Sequence, residues 1–197
     1  MPENHSNDLR DVAFRKIGRN LVNFQLFERA LKLIIVQGNL QGYASELAKL
    51  HRDKAKDTDR KPLGWLVEDF FKTVYSSHSS NDSPATELDE VWMSVSIRIE
   101  SNKDSIQDRR RQLRELVKER NLLVHQLLAN FDPDSAESCE KLIRLLDEQV
   151  DRLELQYRPL MHFIGNLRIA QQEILKQFEA ELRECAREGD APNPALQ

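Results

Sequence analysis

Three features make this chain read as all-α, a bundle of about five helices. Apolar residues recur at three- and four-residue spacing through most of its 197 residues. No strand-like alternation of convincing length interrupts them, and only 6 glycines and 7 prolines punctuate the chain. Hydrophobic residues make up 40% and charged residues 31%, a globular balance, and the length suits one domain around one core. That domain is expected over residues 9–187, between a disordered start (1–8) and a disordered tail (188–197).

The first helix is expected from Leu9 to Val36, with Ile17, Leu21, Phe24, Phe27, Leu31, Ile34 and Ile35 along one face, until the glycines of "QGNLQG" break the pattern. "YASELAKLHRDKAK" reads as a shorter helix. "KPLGWLVEDFFKTVY" reads as another, with Pro62 near its start and Trp65, Leu66, Phe70 and Val74 along one face. The polar stretch Ser76–Pro84 is an internal loop. A long helical pattern then runs from Glu87 to about Asn130. "FDPDSAES" turns the chain and offers Asp134 or Ser135 as a new N-cap. The last helix extends from about residue 135 to 187 and is expected to kink near Pro159.

Several classes of function are set aside by composition. A net charge of −4 argues against a protein coated in basic surface, although a local basic patch remains open. The two cysteines, Cys139 and Cys185, are far apart and lack metal-ligand spacing. His5, His51 and His78 lie in polar context without ligand partners, so no metal and no cofactor is expected. Trp65 and Trp92 read as core anchors. The longest strongly apolar run, Leu33 to Val36, is far short of a membrane span, and the polar start has no signal-peptide core. A cytoplasmic protein without membrane contact is therefore expected.

The chemistry concentrates in "ERNLLVHQLL", Glu119–Leu128. Leu113, Leu116, Val117, Leu123, Val124 and Leu127 form one stripe of the helix, and Arg120 falls in its middle. A buried guanidinium must be paired, snorkel to an edge, or face another chain. On a neighbouring face Asn121 and His125 lie one turn apart, together with Arg110, Arg111, Arg114 and Lys118, whereas Asp108, Glu115 and Glu119 point elsewhere. Like charges stacked at i and i+4 cost helix stability, so such a face suits an anionic visitor. A solvated surface is the plainer reading of the same charges. Arg158 and His162 form a shorter-spaced pair interrupted by Pro159 and read as structural.

"RNLLVH", Arg120–His125, resembles the signature of the HEPN superfamily: an arginine, then a polar residue, with a histidine four to six positions after the arginine, on a late helix of an all-α bundle. The resemblance covers about residues 9–149 in helix order. It implies metal-independent RNA cleavage by a homodimer that meets through the motif-bearing helix, with Arg120 and His125 as the active pair and Asn121 as the polar helper. It also implies a role as a toxin or defence effector, with an antitoxin or other protein partner. The alternative is a HEPN-like module that binds RNA or a protein without cutting. Members partnered with a nucleotidyltransferase carry a Tyr two residues after the His; Leu127 stands there, which puts regulation through that Tyr in doubt.

The residue types suit the implied chemistry. Neutral imidazole can take the proton of a ribose 2′-hydroxyl, and a guanidinium fork can hold the phosphate oxygens as charge builds on them. Arg110, Arg111, Arg114 and Lys118 would hold the RNA backbone. Along the last helix Leu146, Val150, Leu153, Tyr157, Leu160, Ile164, Leu167, Gln171, Ile174 and Phe178 form a heptad seam, either for the chain's own bundle or for a partner with Gln171 as register marker.

Overall fold

The computed structural model describes residues 3–75, 92–127 and 131–189. It is a helical bundle of five helices: α1 (Glu3–Gln37), α2 (Leu47–Asp59), α3 (Leu63–Tyr75), α4 (Lys103–His125) and α5 (Ala136–Gly189). The expected loop Ser76–Pro84 and tail residues 190–197 lie outside the described residues, as does the end of the fourth helical pattern at 128–130. α1 begins at Glu3, ahead of the expected Leu9.

One element was not expected. Strands β1 (Asn39–Tyr43) and β2 (Trp92–Ser96) pair antiparallel, with Asn39 opposite Ser96 and Tyr43 opposite Trp92. The pattern assigned to one helix from Glu87 onward therefore contains a strand, and α4 starts only at Lys103. The physical reason is visible in "WMSVSIRI", where serines and Arg98 alternate with Met93, Val95, Ile97 and Ile99 at period two. The ribbon is too small to be stable alone; the segment that carries it is tied to the bundle where the Ile97 amide donates to Gly38 O (2.9 Å) and the Ile99 amide to Val74 O (2.9 Å). Directly after α1, Gly38 fits where a side chain would not, since an added Cβ would lie 2.6 Å from the Ile34 carbonyl oxygen.

α1 and α5 lie side by side and run the same way, since their contacts advance in step. Arg10 faces Asp134, Lys16 and Arg19 both hold Asp147, and Leu26 lines the same pocket as Tyr157. The two cations depress the Asp147 carboxyl below its ordinary range by hydrogen bonding. The heptad seam is used within the chain, with Leu146, Leu153, Leu160, Ile164 and Leu167 buried. Beyond the end of α1 the seam becomes exposed, as at Ile174 (45%). α5 continues through Pro159, which is exposed like Leu155, whose carbonyl the proline leaves without its helical donor.

The core forms where α1, α3, α4 and α5 meet, around Phe27, Leu31, Ile34, Leu66, Phe70, Phe71, Leu113, Leu146 and Leu160. Trp65 is not among them. It is 68% exposed, because the buried face of α3 runs through Leu63, Leu66, Val67, Phe70, Phe71 and Val74, opposite Trp65 on the wheel. Trp92 is half-buried and meets Tyr43 edge to face at 5.0 Å, in the ribbon and not the core.

Candidate functional site

α4 is capped at its start by Asn102, whose side-chain oxygen accepts from the Ser105 amide at 2.7 Å. At the other end a polar network positions the motif. The fully buried Asn20 of α1 donates to Leu146 O and to Gln149 Oε1 of α5, both at 2.8 Å, and Gln149 Nε2 donates in turn to the carbonyl of Glu119 at 3.5 Å. The Glu119 carboxylate accepts from Arg152 Nε at 2.7 Å. Three helices are thereby joined immediately before Arg120.

Arg120 is half-buried beside the stripe of Leu113, Leu116 and Leu123. Nη1 donates to Asn121 Oδ1 at 3.3 Å, and among the described residues no carboxylate pairs with it. It is therefore a snorkelling arginine, held by its neighbour but not neutralised. Asn121 and His125 are exposed, His125 being the last residue of α4. Five helical residues place His125 about 140° around the axis from Arg120 and roughly 7.5 Å along it. One copy of the chain thus aligns Arg120 with Asn121, and Asn121 with His125, without aiming guanidinium and imidazole at one point.

The basic residues of α4 are in a different state. Arg114 grips Glu68 of α3 through Nε (2.8 Å) and Nη2 (2.7 Å). Arg110 approaches the same carboxylate at 3.8 Å while its guanidinium lies 4.8 Å over the Phe71 ring. Arg111 pairs with Asp108 at 2.6 Å, and Lys118 with Glu115 at 2.7 Å. Asp108 and Glu115 were expected on a separate acidic face. They are not separate: residues at i and i+3 are surface neighbours, and long side chains close the gap. Glu68 could not be found from spacing along α4, because only the packing of α3 on α4 brings it there.

These pairs are solvent-exposed or nearly so, worth roughly 0–1 kcal/mol each, so a phosphate can displace a carboxylate. Glu68→Gln is accordingly expected to free Arg110 and Arg114, tighten single-stranded RNA binding and steepen its salt dependence by roughly 0.7 in the log–log slope for each phosphate newly held. Filter binding across a salt series measures this; an unchanged slope would assign both arginines to a structural role.

Next to the motif, a groove of about 460 Å³ opens between the end of α4 and the start of α5. Leu122 (51% exposed) and Leu145 (46% exposed) stand at it, with Leu127, Phe131 and Leu142 behind them. Val124, expected in the buried stripe, is 38% exposed. Ser135, one of the two expected caps, directly precedes α5, and its hydroxyl accepts from the Ser138 amide at 3.3 Å. Cys139 is fully buried, and burial pushes its thiol above the ordinary range, so it is poorly suited to nucleophilic chemistry. The Arg158 guanidinium is tied to Glu154 at 2.6 Å. Among the described residues no group of three His, Cys, Asp or Glu side chains is arranged to hold a metal ion, and no helix is long and apolar enough to cross a membrane.

Comparisons with family models, with characterised proteins and with solved structures find no match to this chain.

Proposed function

We propose that α4 carries the active site of a HEPN-type ribonuclease that cleaves RNA without a metal ion. The observation that carries the reading is the contrast along one helix: Arg110, Arg111, Arg114 and Lys118 are paired with carboxylates, whereas Arg120 has no carboxylate partner among the described residues and donates to Asn121. A half-buried cation left unneutralised is costly in a structural position and useful where a phosphate is to be held. His125, exposed one turn after Asn121, is accessible to a ribose hydroxyl.

In this reading His125 takes the 2′-hydroxyl proton, the 2′-oxygen attacks the adjacent phosphorus, the P–O5′ bond breaks, and a second histidine protonates the departing 5′-oxygen. Arg120 and Asn121 stabilise the charge on the phosphoryl oxygens. A two-fold dimer through α4 would supply the second histidine and bring the guanidinium of one protomer toward the imidazole of the other. Exposed Leu122 and Val124 would be covered on such a face. The protein would act in the cytoplasm as a toxin or defence effector, restrained by an antitoxin or other protein partner.

Sedimentation equilibrium at micromolar concentration tests the assembly on which this site depends. A dimer that Leu122→Glu converts to monomer, with loss of RNA cleavage, is the expected result. A strict monomer in the wild type would contradict it. The apolar groove beside the motif favours a second reading, a non-catalytic module that binds a protein or RNA; a dimer that cuts no RNA would select it.

A further inference from the structure

Toward the other end of α4 from the groove beside the motif, a cleft of about 1080 Å³ lies between the end of α3, the first half of α4 and the middle of α5. Arg109 lines it. This guanidinium is half-buried, its Nε is shut off from solvent without a hydrogen-bond acceptor, and no carboxylate among the described residues pairs with it. The neighbouring carboxylate, Asp108, is already engaged by Arg111. A cation in this state lacks a partner that water cannot fully replace at Nε, and an incoming anion would supply one.

Two further features of the wall narrow the anion. Gln156, 8% exposed, donates through Nε2 to Gln112 Oε1 at 2.8 Å. With the amides so oriented, Gln112 Nε2 and Gln156 Oε1 have no other hydrogen bond among the described residues, which leaves a donor and an acceptor side by side on the cleft wall. The remaining wall includes the rings of Tyr75 and Phe163, both half-buried. Guanidinium, an amide donor–acceptor pair and aromatic surface are the three chemistries that a phosphate, a base edge and a base face require.

We propose that this cleft binds a nucleotide unit, with its phosphate on Arg109 and its base between the aromatic wall and the Gln112–Gln156 amides. The unit is either a free nucleoside monophosphate or one residue of a single strand. The site is distinct from Arg120, Asn121 and His125, and its occupancy does not depend on cleavage.

Isothermal titration of the full chain with 5′-AMP, with adenosine and with inorganic phosphate tests the assignment. The His125→Ala variant serves for a short oligoribonucleotide, so that the strand stays intact. AMP is expected to bind more tightly than adenosine or phosphate, and Arg109→Gln is expected to weaken it about ten- to a hundredfold, the usual cost of a charge-assisted hydrogen bond, with circular dichroism unchanged. If Arg109→Gln does not fold, Gln112→Ala, at an exposed position, serves in its place and should weaken AMP but not phosphate. Competition between AMP and the oligonucleotide would identify a strand residue as the natural occupant, and AMP binding without competition a free nucleotide. Wild type that binds no AMP, together with an oligonucleotide affinity that these variants leave unchanged, would overturn the proposal. His125→Ala should bind AMP like wild type, so loss of cleavage and loss of this site are read separately.

Discussion

Replacing His125 with alanine is expected to reduce cleavage of single-stranded RNA by about 10²–10⁴-fold, the usual worth of general acid–base assistance. Stability should hardly change, because His125 is exposed at the last position of α4 and no core contact is lost with it. Arg120→Ala should inactivate as well, by removing the charge proposed to hold the phosphate, but its place beside Leu113, Leu116 and Leu123 means that packing or assembly can change too. His125 is therefore the cleaner test. Turnover and thermal unfolding of the same His125→Ala preparation provide the check; wild-type cleavage by that variant would remove the imidazole from the mechanism.

The largest effect on folding is expected at Phe27, which is fully buried on α1 in the core shared with α3 and α5. Phe27→Ala should cost roughly 3–5 kcal/mol from lost burial and the cavity left behind. Against a total of about 5–15 kcal/mol for an ordinary domain, that is a large fraction of the stability. Phe14, on the same helix but 46% exposed, meets Phe131 edge to face at 6.0 Å, and Phe14→Ala should cost under about 1 kcal/mol. Urea unfolding of the two variants measures the difference. Equal losses would mean that α1 buries a different face.

The fold was legible where periodicity is long. α1 and α5 span many turns, so a seam such as Leu146, Leu153 and Leu160 repeats often enough to name the buried face, and Gly38 and Ser135 mark where one helix stops and another starts. It was illegible where elements are short. Five residues of β2 were absorbed into the pattern of the helix after them, because Val95 and Ile99 also fit an apolar helical face when read together with Ile106. Trp65 was placed on one face with Leu66, Phe70 and Val74 and taken as a core anchor, although its position on α3 is opposite Leu66 and Phe70.

For the site, the sequence located Arg120, Asn121 and His125 on one helix and placed Arg120 against the apolar stripe. What it could not supply was partnership across elements. Glu68 neutralising Arg110 and Arg114, Asn20 and Gln149 bracing the Glu119 carbonyl, and Arg109 turning into a cleft with Gln112 and Gln156 all depend on helices that are distant in the chain and adjacent in space. Spacing along α4 did contain the Asp108–Arg111 and Glu115–Lys118 pairs at i and i+3, but a wheel divided into separate faces concealed them.

The central claim is that Arg120, Asn121 and His125 cleave RNA through its own 2′-hydroxyl, and the end chemistry of the products tests it most directly. Purified wild-type protein, incubated with single-stranded RNA in excess EDTA, should leave fragments ending in 2′,3′-cyclic phosphate opposite 5′-hydroxyl ends, and should leave the matching all-2′-deoxy strand intact. Products carrying 5′-phosphate, cleavage abolished by EDTA, or equal cutting of the deoxy strand would contradict it.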